Sequence, residues 1–197
     1  MTHMPATASK GPSLTDVIAR FGGEDALRKK PPVHLWNPPF CGQIDMRIAR
    51  NGSWHYMGTP IPRPAMVKLF ASILRREPDD SYVLVTPVEK CGIRVDDAPF
   101  VAVEATVAEK EGVRLIAFRT NVDDVVPLDA EHPLRVDVNA ATGEPSPYVL
   151  VRDRLEALIA RPVYYQLVEM AEERIVDGRA VLGIQSAGRF FVLGEMP

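Results

Sequence analysis

The sequence predicts an α+β fold made of two units, each built around an antiparallel sheet. Short segments with alternating apolar residues are separated by turn residues, which is typical of strands joined as hairpins. Other segments repeat apolar residues with the period of a helix. The order strand, turn, strand, helix, strand, strand occurs twice, over about residues 44–95 and 134–193, and indicates a duplicated motif. Antiparallel pairing is expected because each parallel pair would need a longer, usually helical crossover.

The composition is that of a water-soluble globular protein. The chain has 197 residues, 46% of them apolar, and a net charge of −3. It can therefore bury a core, and it has no general attraction to nucleic acid or anionic membranes. No run approaches the roughly 18 apolar residues of a membrane span, and the first residues lack the apolar stretch of a signal peptide. We expect a cytoplasmic protein that binds neither a membrane nor a nucleic-acid polymer.

The N-terminal third divides into a tail and a first unit. Residues 1–13 are small and polar and are predicted to be a disordered tail, after which the first unit is expected to span residues 14–97. Residues 31–42 are rich in proline, which lacks the backbone donor that helices and central strands need. This segment is predicted to be extended, with its aromatic side chains Trp36 and Phe40 buried.

The first unit combines a hairpin, an amphipathic helix and two further strands. The Asn51-Gly52 pair is a strong hairpin signal because both residues tolerate positive φ. Apolar residues then recur at helical spacing, so one helix face is expected to be buried. The predicted core residues of that face are Met66, Leu69, Phe70 and Ile73. The predicted elements are helices at Leu14–Phe21 and Ala65–Glu77 and strands at Ile44–Ala49, Trp54–Met57, Tyr82–Thr86 and Cys91–Val95.

The second unit, residues 98–197, is predicted to contain hairpins on either side of a kinked helix. The apolar residues Leu155, Leu158 and Ile159 recur at helical spacing, so a helix is predicted to begin near Arg152. Pro162 is expected to kink or restart it. The other predicted elements are strands at Pro99–Ala108, Val113–Thr120, Leu134–Val138 and Tyr148–Val151, a loop at Asn121–Pro127, and a closing hairpin of Ala180–Gln185 with Arg189–Leu193.

The sequence lacks the local motifs of common enzymes. Neither GxxxxGK[ST] nor GxGxxG is present, and the four histidines are too scattered for a local zinc motif. Ser186 has one residue too many before it for a nucleophile elbow. Cys41 and Cys91 have no base placed beside them and are interpreted as buried, inert thiols. We therefore predict no catalytic residue, no metal site and no cofactor.

Three polar segments at strand ends between the two units form the candidate site: Thr86–Lys90, Phe118–Asp124 and His132–Arg135. Small ligands usually bind in clefts between domains, and arginine with asparagine and threonine suits an anionic ligand. Arg119 closes a face that it shares with Leu115 and Ala117, so we expect it to point into the interdomain cleft. The candidate ligand-binding residues are Arg119, Asn121, Lys90, Glu89, Asp124, Arg135, His132 and Trp36.

A structural alternative stays open for the same side chains. Arg119 and Arg135 can pair with neighbouring acids and hold the two units together. Paired acids such as Asp123-Asp124 also cap turns well, which needs no ligand.

Seven stretches carry a family resemblance: VHLWNPPFCG (33–42), IDMRIARNGSW (44–54), LVTPVEKCGIRVDDAPF (84–100), FRTNVDDVV (118–126), HPLR (132–135), TGEPSPYVLV (142–151) and LEALIARPVYYQLVE (155–169). Through them the chain resembles the uncharacterised bacterial family called domain of unknown function 1285. The resemblance implies two α+β units with duplicated motifs, the second superficially similar to a pleckstrin-homology fold. It implies no established activity; a nucleotide-like ligand at the domain interface and a role in signalling are proposals for that family.

Three functional hypotheses follow. In the first, the chain is a non-enzymatic, ligand-sensing module whose interdomain cleft binds a small anionic, nucleotide-like molecule in signal transduction. In the second, it is a protein-interaction adaptor that offers a sheet edge or a helix groove to a partner. In the third, it is an enzyme that uses Glu89, Asp123 or Asp124 as acid or base.

Overall fold

The computed structural model describes residues 30–110 and 112–196, and the predicted tail and the helix at Leu14–Phe21 lie outside them. This part of the chain is mostly β-strand with two α-helices, which is an α+β fold. It forms two compact units. The first contains the described residues up to Met46 together with Ile61–Ile93, and the second contains Arg47–Pro60 and the residues from Arg94 onward. Neither described helix has the length and apolar character needed to cross a membrane.

The first sheet has six strands in the order β3-β2-β1-β6-β5-β4. Its strands are β1 (Phe40–Ile48), β2 (Trp54–Tyr56), β3 (Thr59–Pro60), β4 (Leu74–Arg76), β5 (Tyr82–Val85) and β6 (Lys90–Val95). A short 3-10 helix, Val33–Leu35, precedes β1. The alternation predicted for β1 is present at its C-terminal end, because Met46 and Ile48 are buried, whereas Asp45 is exposed and Arg47 is only half-buried. Phe40, in contrast to the expectation, is 53% exposed.

Helix α1 (Pro64–Ser72) connects β3 to β4 and is shorter than predicted. It ends where the Ser72 hydroxyl donates to the Leu69 carbonyl at 2.6 Å. The residues that follow join the sheet instead, with Leu74 paired to Leu84 in β5. Leu74 suits a buried strand position as well as a helix face, so only its partner strand decides between them. Of the predicted core residues, Met66 is half-buried; Leu69, Phe70 and Ile73 are buried.

The second sheet also has six strands, in the order β10-β11-β12-β7-β8-β9. Its strands are β7 (Phe100–Lys110), β8 (Val113–Thr120), β9 (Val125–Pro127), β10 (Leu134–Val138), β11 (Pro145–Arg152) and β12 (Leu155–Ile159). The sheet is mixed rather than antiparallel throughout, since β12 pairs in parallel with β7. The hairpins between these two strands together supply the long crossover that a parallel pair requires. The predicted loop at Asn121–Pro127 contains the short strand β9.

The helix predicted from Arg152 is wrong, because Leu155–Ile159 forms β12. Leu155, Ala157 and Ile159 are all buried, which is the period of a strand. The sequence fits both periods over these five positions, and pairing with β7 and β11 selects the strand. Helix α2 (Arg161–Glu169) begins only at Arg161, with Pro162 in its first turn. Proline is favourable there because the first turn leaves backbone N–H groups without helical partners.

The face of β8 that is buried is the opposite of the one shared by Arg119. Ile116 and Phe118 are fully buried, whereas Leu115 is 38% exposed. Both faces carry apolar residues in the sequence, so alternation alone does not say which one meets the core. A bulge in β7, between Ala102 and Glu104, turns Glu104 toward the same outer face as Arg119.

The third sheet has the order β13-β14-β15 and consists of β13 (Glu172–Val176), β14 (Arg179–Ser186) and β15 (Arg189–Glu195). The turn between β14 and β15 is bonded to β8. The fully buried Ser186 hydroxyl accepts the Ile116 amide at 2.9 Å, and the Ala187 amide donates to the Arg114 carbonyl at 2.8 Å. Ser186 therefore has a structural role in the second unit.

Replacing Ser186 with alanine is expected to lower the free energy of unfolding by about 1–3 kcal/mol, because the buried Ile116 amide loses its acceptor. Urea denaturation measures the loss. Ser81→Ala is the matched control, since Ser81 is exposed and should change stability by less than about 0.5 kcal/mol. Equal effects of the two substitutions would contradict the assigned role.

Candidate functional site

The second unit contains an open pocket of about 400 Å³ beside the first turn of α2. Its apolar surface comes from Pro147 in β11, Leu158 and Ile159 in β12, and the ring of Tyr164. Tyr165, 57% exposed, is the second aromatic residue of the lining. The tyrosines and Arg161 are placed together because α2 starts directly after β12.

Two arginines bring positive charge to this pocket. Arg50, from the turn between β1 and β2, is 62% exposed; its Nε lies 3.4 Å from Asp97 Oδ2 and its Nη2 donates to Ser146 Oγ at 3.0 Å. Arg161 pairs with Glu144, and both side chains are more than half exposed. A guanidinium has five N–H donors, more than these contacts use, so both arginines can also bind an anionic group.

Asp97 links Arg50 to a buried tyrosine. The Tyr148 hydroxyl donates to Asp97 Oδ1 at 2.7 Å, and the Arg135 guanidinium lies 4.2 Å from the centre of the Tyr148 ring. Burial, followed by the bond to the Asp97 carboxylate, raises the pKa of Tyr148 to about 12. The phenol thus stays protonated and keeps Asp97 oriented toward Arg50.

The raised pKa of Tyr148 predicts a loss of stability in alkali. In the unfolded chain a tyrosine ionises near pH 10, whereas in the folded protein the pKa of Tyr148 is about 12. The unfolded state therefore binds fewer protons between these values, and the free energy of unfolding should fall as the pH rises from 10 to 12. Urea denaturation from pH 9 to 12 should show a smaller fall for Tyr148→Phe. The same pH slope in both proteins would contradict this assignment.

Arg119 is an ion-paired side chain on the outer face of the second sheet. Its Nε donates to Glu104 at 2.8 Å and its Nη1 to Asp123 at 3.1 Å. The hydrogen bonds that Arg119 donates to Glu104 and then to Asp123 raise its pKa. The Arg119 side chain is 45% exposed. Glu104 and Asp123 are neighbouring acids of the kind that the structural alternative names. Its place in an interdomain cleft stays a prediction.

Asn121 binds the protein's own backbone. Its Oδ1 accepts the Val101 amide at 3.0 Å, and its Nδ2 donates to the Gly52 carbonyl at 3.1 Å. It therefore fastens the turn between β1 and β2 to the start of β7. Asp124 is similarly engaged, pairing with Arg152 at 2.5 Å.

Arg135 and His132 also have acidic partners in the second unit. Arg135 donates to Glu156 at 2.7 Å and pairs with Asp137. His132 Nδ1 lies 2.9 Å from Asp129 Oδ1. Burial alone would raise the pKa of Asp129, but the hydrogen bonds from the side chain and backbone of His132 lower it below its usual range.

The three candidate residues of the first unit have separate surroundings. The Glu89 carbonyl accepts from the Thr86 hydroxyl at 3.1 Å, which closes the turn before β6. The Trp36 carbonyl accepts from Arg75 at 2.6 Å. Lys90 Nζ lies 3.5 Å from Glu77. Each thus takes part in local structure, and their binding role stays a prediction.

Arg50, Arg161 and Tyr165 are pocket residues that were not among the predicted site residues. The sequence carries a weak signal for the positions of the two arginines. Arg50 precedes the Asn51-Gly52 turn and Arg161 precedes Pro162, so each lies where one element ends and the next begins. The predicted kinked helix placed Arg161 within a helix rather than at its first position.

No set of three or more metal-ligating side chains is grouped within residues 30–110 and 112–196. Cys41 is exposed rather than buried, Cys91 is half-buried, and the two cysteines do not form a disulfide.

Comparison with known proteins places this architecture in a family. Residues 31–98 match the family model "Domain of unknown function (DUF1285), N-terminal domain", and residues 99–193 match "Protein of unknown function (DUF1285), C-terminal domain". A search of the curated proteins found no match.

Two solved structures are similar to this chain. A DUF1285 family protein from Silicibacter pomeroyi DSS-3 is 48% identical, with a TM-score of 0.82 over 95% of this chain and 97% of the other. A second, from Shewanella baltica OS155, is 30% identical over 63% of this chain and 90% of the other, with a TM-score of 0.49. The family models together span nearly all the described residues. The chain therefore belongs to the DUF1285 family.

Proposed function

We propose that this protein is a non-enzymatic binding module that takes a small anionic, nucleotide-like ligand in the pocket beside α2. The observation that supports this proposal is the pair of exposed arginines, Arg50 and Arg161, on an open pocket with apolar walls. Ligand sites typically combine such walls with a few charged groups.

The two ends of a nucleotide match different parts of this pocket. Phosphate oxygens are acceptors that arginine binds with two parallel hydrogen bonds. The exposed ring of Tyr165 offers a flat surface on which a base can stack. We assign this module a role in signal transduction, because a protein that binds a small ligand without converting it can act as a sensor.

Isothermal titration calorimetry with three probes tests the proposal. AMP carries both base and phosphate, adenosine lacks the phosphate, and ribose 5-phosphate lacks the base. We expect AMP to bind most tightly and adenosine to bind at least about tenfold more weakly, since a charge-assisted contact contributes about 1.5–3 kcal/mol. Absence of heat for AMP and ribose 5-phosphate at millimolar concentration would contradict the proposal and favour the adaptor hypothesis.

Variants connect the binding to the pocket. Arg50→Ala and Arg161→Ala should each weaken AMP binding at least about tenfold. The matched control is Arg179→Ala, which removes an equally exposed arginine that pairs with Glu195 outside the pocket. Equal binding by all of these proteins would place the ligand elsewhere.

We also propose that the chain contains a structural duplication. Residues 40–95 and 134–195 each run through three strands, a nine-residue helix with proline in its first turn, and three strands. In the second stretch β10 lies beside β15, as β1 lies beside β6 in the first. The strands after α2, however, form a separate hydrogen-bonded sheet. The likeness of the second unit to a pleckstrin-homology fold stays a prediction.

A further inference from the structure

We propose that the first unit carries a second, independent binding site, whose ligand is a zwitterionic α-amino acid with an apolar side chain. The site is an open pocket of about 440 Å³ lined by residues of β1, β5 and β6 and of the turn that precedes β5. It combines a cation, two carboxylates, a carboxamide and apolar surface within a single unit, and none of these residues lines the pocket beside α2.

The cation is Lys90, which keeps hydrogen-bond donors for a ligand. Its Nζ lies 3.5 Å from Glu77, at the limit of a hydrogen bond. Glu77 is already held by Arg75, whose Nε donates to it at 2.8 Å and whose Nη1 is fixed by the Val33 carbonyl at 2.8 Å. Because Arg75 neutralises Glu77, the ammonium of Lys90 remains available to a ligand carboxylate.

The second carboxylate, Asp79, is held in a fixed position. Its Oδ1 accepts the Ser81 amide at 3.1 Å and the Ser81 hydroxyl at 2.7 Å. These bonds, with a smaller contribution from the charge of Lys90, lower the pKa of Asp79, so it stays ionised. The charges of Arg75 and Lys90 therefore balance those of Glu77 and Asp79. A neutral set of separated charges is complementary to a zwitterion rather than to a net anion or cation.

Gly92 allows the side-chain carboxamide of Gln43 to occupy its place in the pocket. A Cβ added to Gly92 would lie 2.3 Å from Gln43 Nε2, so the glycine is what allows Gln43 to lie against the sheet. The Gln43 carboxamide forms no hydrogen bond with another described residue in 30–110 or 112–196. It therefore offers one acceptor and two donors to a ligand.

The remaining surface accounts for the apolar side chain of the ligand. The buried Val83 and the ring of Pro78 line the pocket, and Phe40 is 53% exposed at its edge. An exposed phenylalanine beside fixed charges suits a ligand that is polar at one end and apolar at the other.

Three related compounds test the ligand class by calorimetry. L-Phenylalanine carries both charges, 3-phenylpropionate lacks the ammonium, and 2-phenylethylamine lacks the carboxylate. We expect L-phenylalanine to bind and each truncated compound to bind at least about tenfold more weakly. The proposal would be overturned if L-phenylalanine, L-leucine and L-methionine all gave no heat at about 10 mM, a concentration that corresponds to a binding free energy of about 2.7 kcal/mol. Equal binding of L-phenylalanine and the truncated compounds would also overturn it.

Variants of the first unit locate the binding. Lys90→Met and Asp79→Asn should each weaken L-phenylalanine binding at least about tenfold. Gly92→Ala should do the same by displacing Gln43, with little loss of stability because only a flexible side chain must move. Lys68→Met, on α1, is the matched control. Arg161→Ala should leave amino-acid binding unchanged, which separates this proposal from the first. Unchanged binding in Lys90→Met and Gly92→Ala would overturn it.

Discussion

Replacing Phe70 with alanine should lower the free energy of unfolding by about 3–5 kcal/mol, the usual range for emptying a buried aromatic site. The Phe70 side chain is fully buried, on the face of α1 that also buries Leu69. Alanine has the higher helix propensity, so any loss must come from packing and not from the helix itself. Guanidinium denaturation of the full chain measures the change.

Tyr165→Ala is the matched control for that measurement. It removes an aromatic ring from the other helix, at a position that is 57% exposed, and should cost less than about 1 kcal/mol. A loss below about 1 kcal/mol for Phe70→Ala as well would mean that the ring is not in the core.

Replacing Gly52 with alanine should lower the free energy of unfolding by about 2–5 kcal/mol, for two separate reasons. Gly52 has φ +83°, a conformation that costs other residues about 1–2 kcal/mol. A Cβ there would also lie 2.6 Å from Asn121 Nδ2 and 2.9 Å from Val101 Cγ2. Asn121 cannot move away without breaking its bonds to the Gly52 carbonyl and the Val101 amide.

Gly58→Ala separates the two contributions. Gly58 has a similar φ of +76°, but a Cβ there meets no atom within 4 Å. It should therefore show only the conformational cost of about 1–2 kcal/mol. If both alanine variants unfold at the same denaturant concentration, the close approach of Asn121 contributes nothing.

The Gly52 turn also shows how far local sequence signals reach. The Asn51-Gly52 pair correctly predicted a hairpin, yet only Gly52 adopts positive φ, while the Asn51 side chain accepts the Ser53 amide at 3.0 Å. The role of Asn121 in holding that turn was not predictable, because the two residues are distant in sequence. The sequence around a loop asparagine does not show whether its side chain binds a ligand or the protein's own backbone.

The partners of the candidate site residues were likewise not predictable from local sequence. The candidate residues were grouped by their position at strand ends; within the second unit the structure gives Arg119 and Arg135 acidic partners, and their role in binding a ligand stays a prediction. Those partners, Glu104 and Glu156, come from other strands. The register between neighbouring strands decides which side chains lie opposite each other. It depends on both strands together, so the sequence of one strand alone does not predict it.

By itself, the sequence determined the α+β class, the family, the hairpins and the buried face of α1. These depend on residues close together in the chain, where period and turn chemistry act directly. Only the tertiary structure decided that Leu155–Ile159 is a strand, that β12 runs parallel to β7, and which face of β8 is buried. In each case the local pattern fits two arrangements, and the free energy of burying one face against a distant strand selects between them.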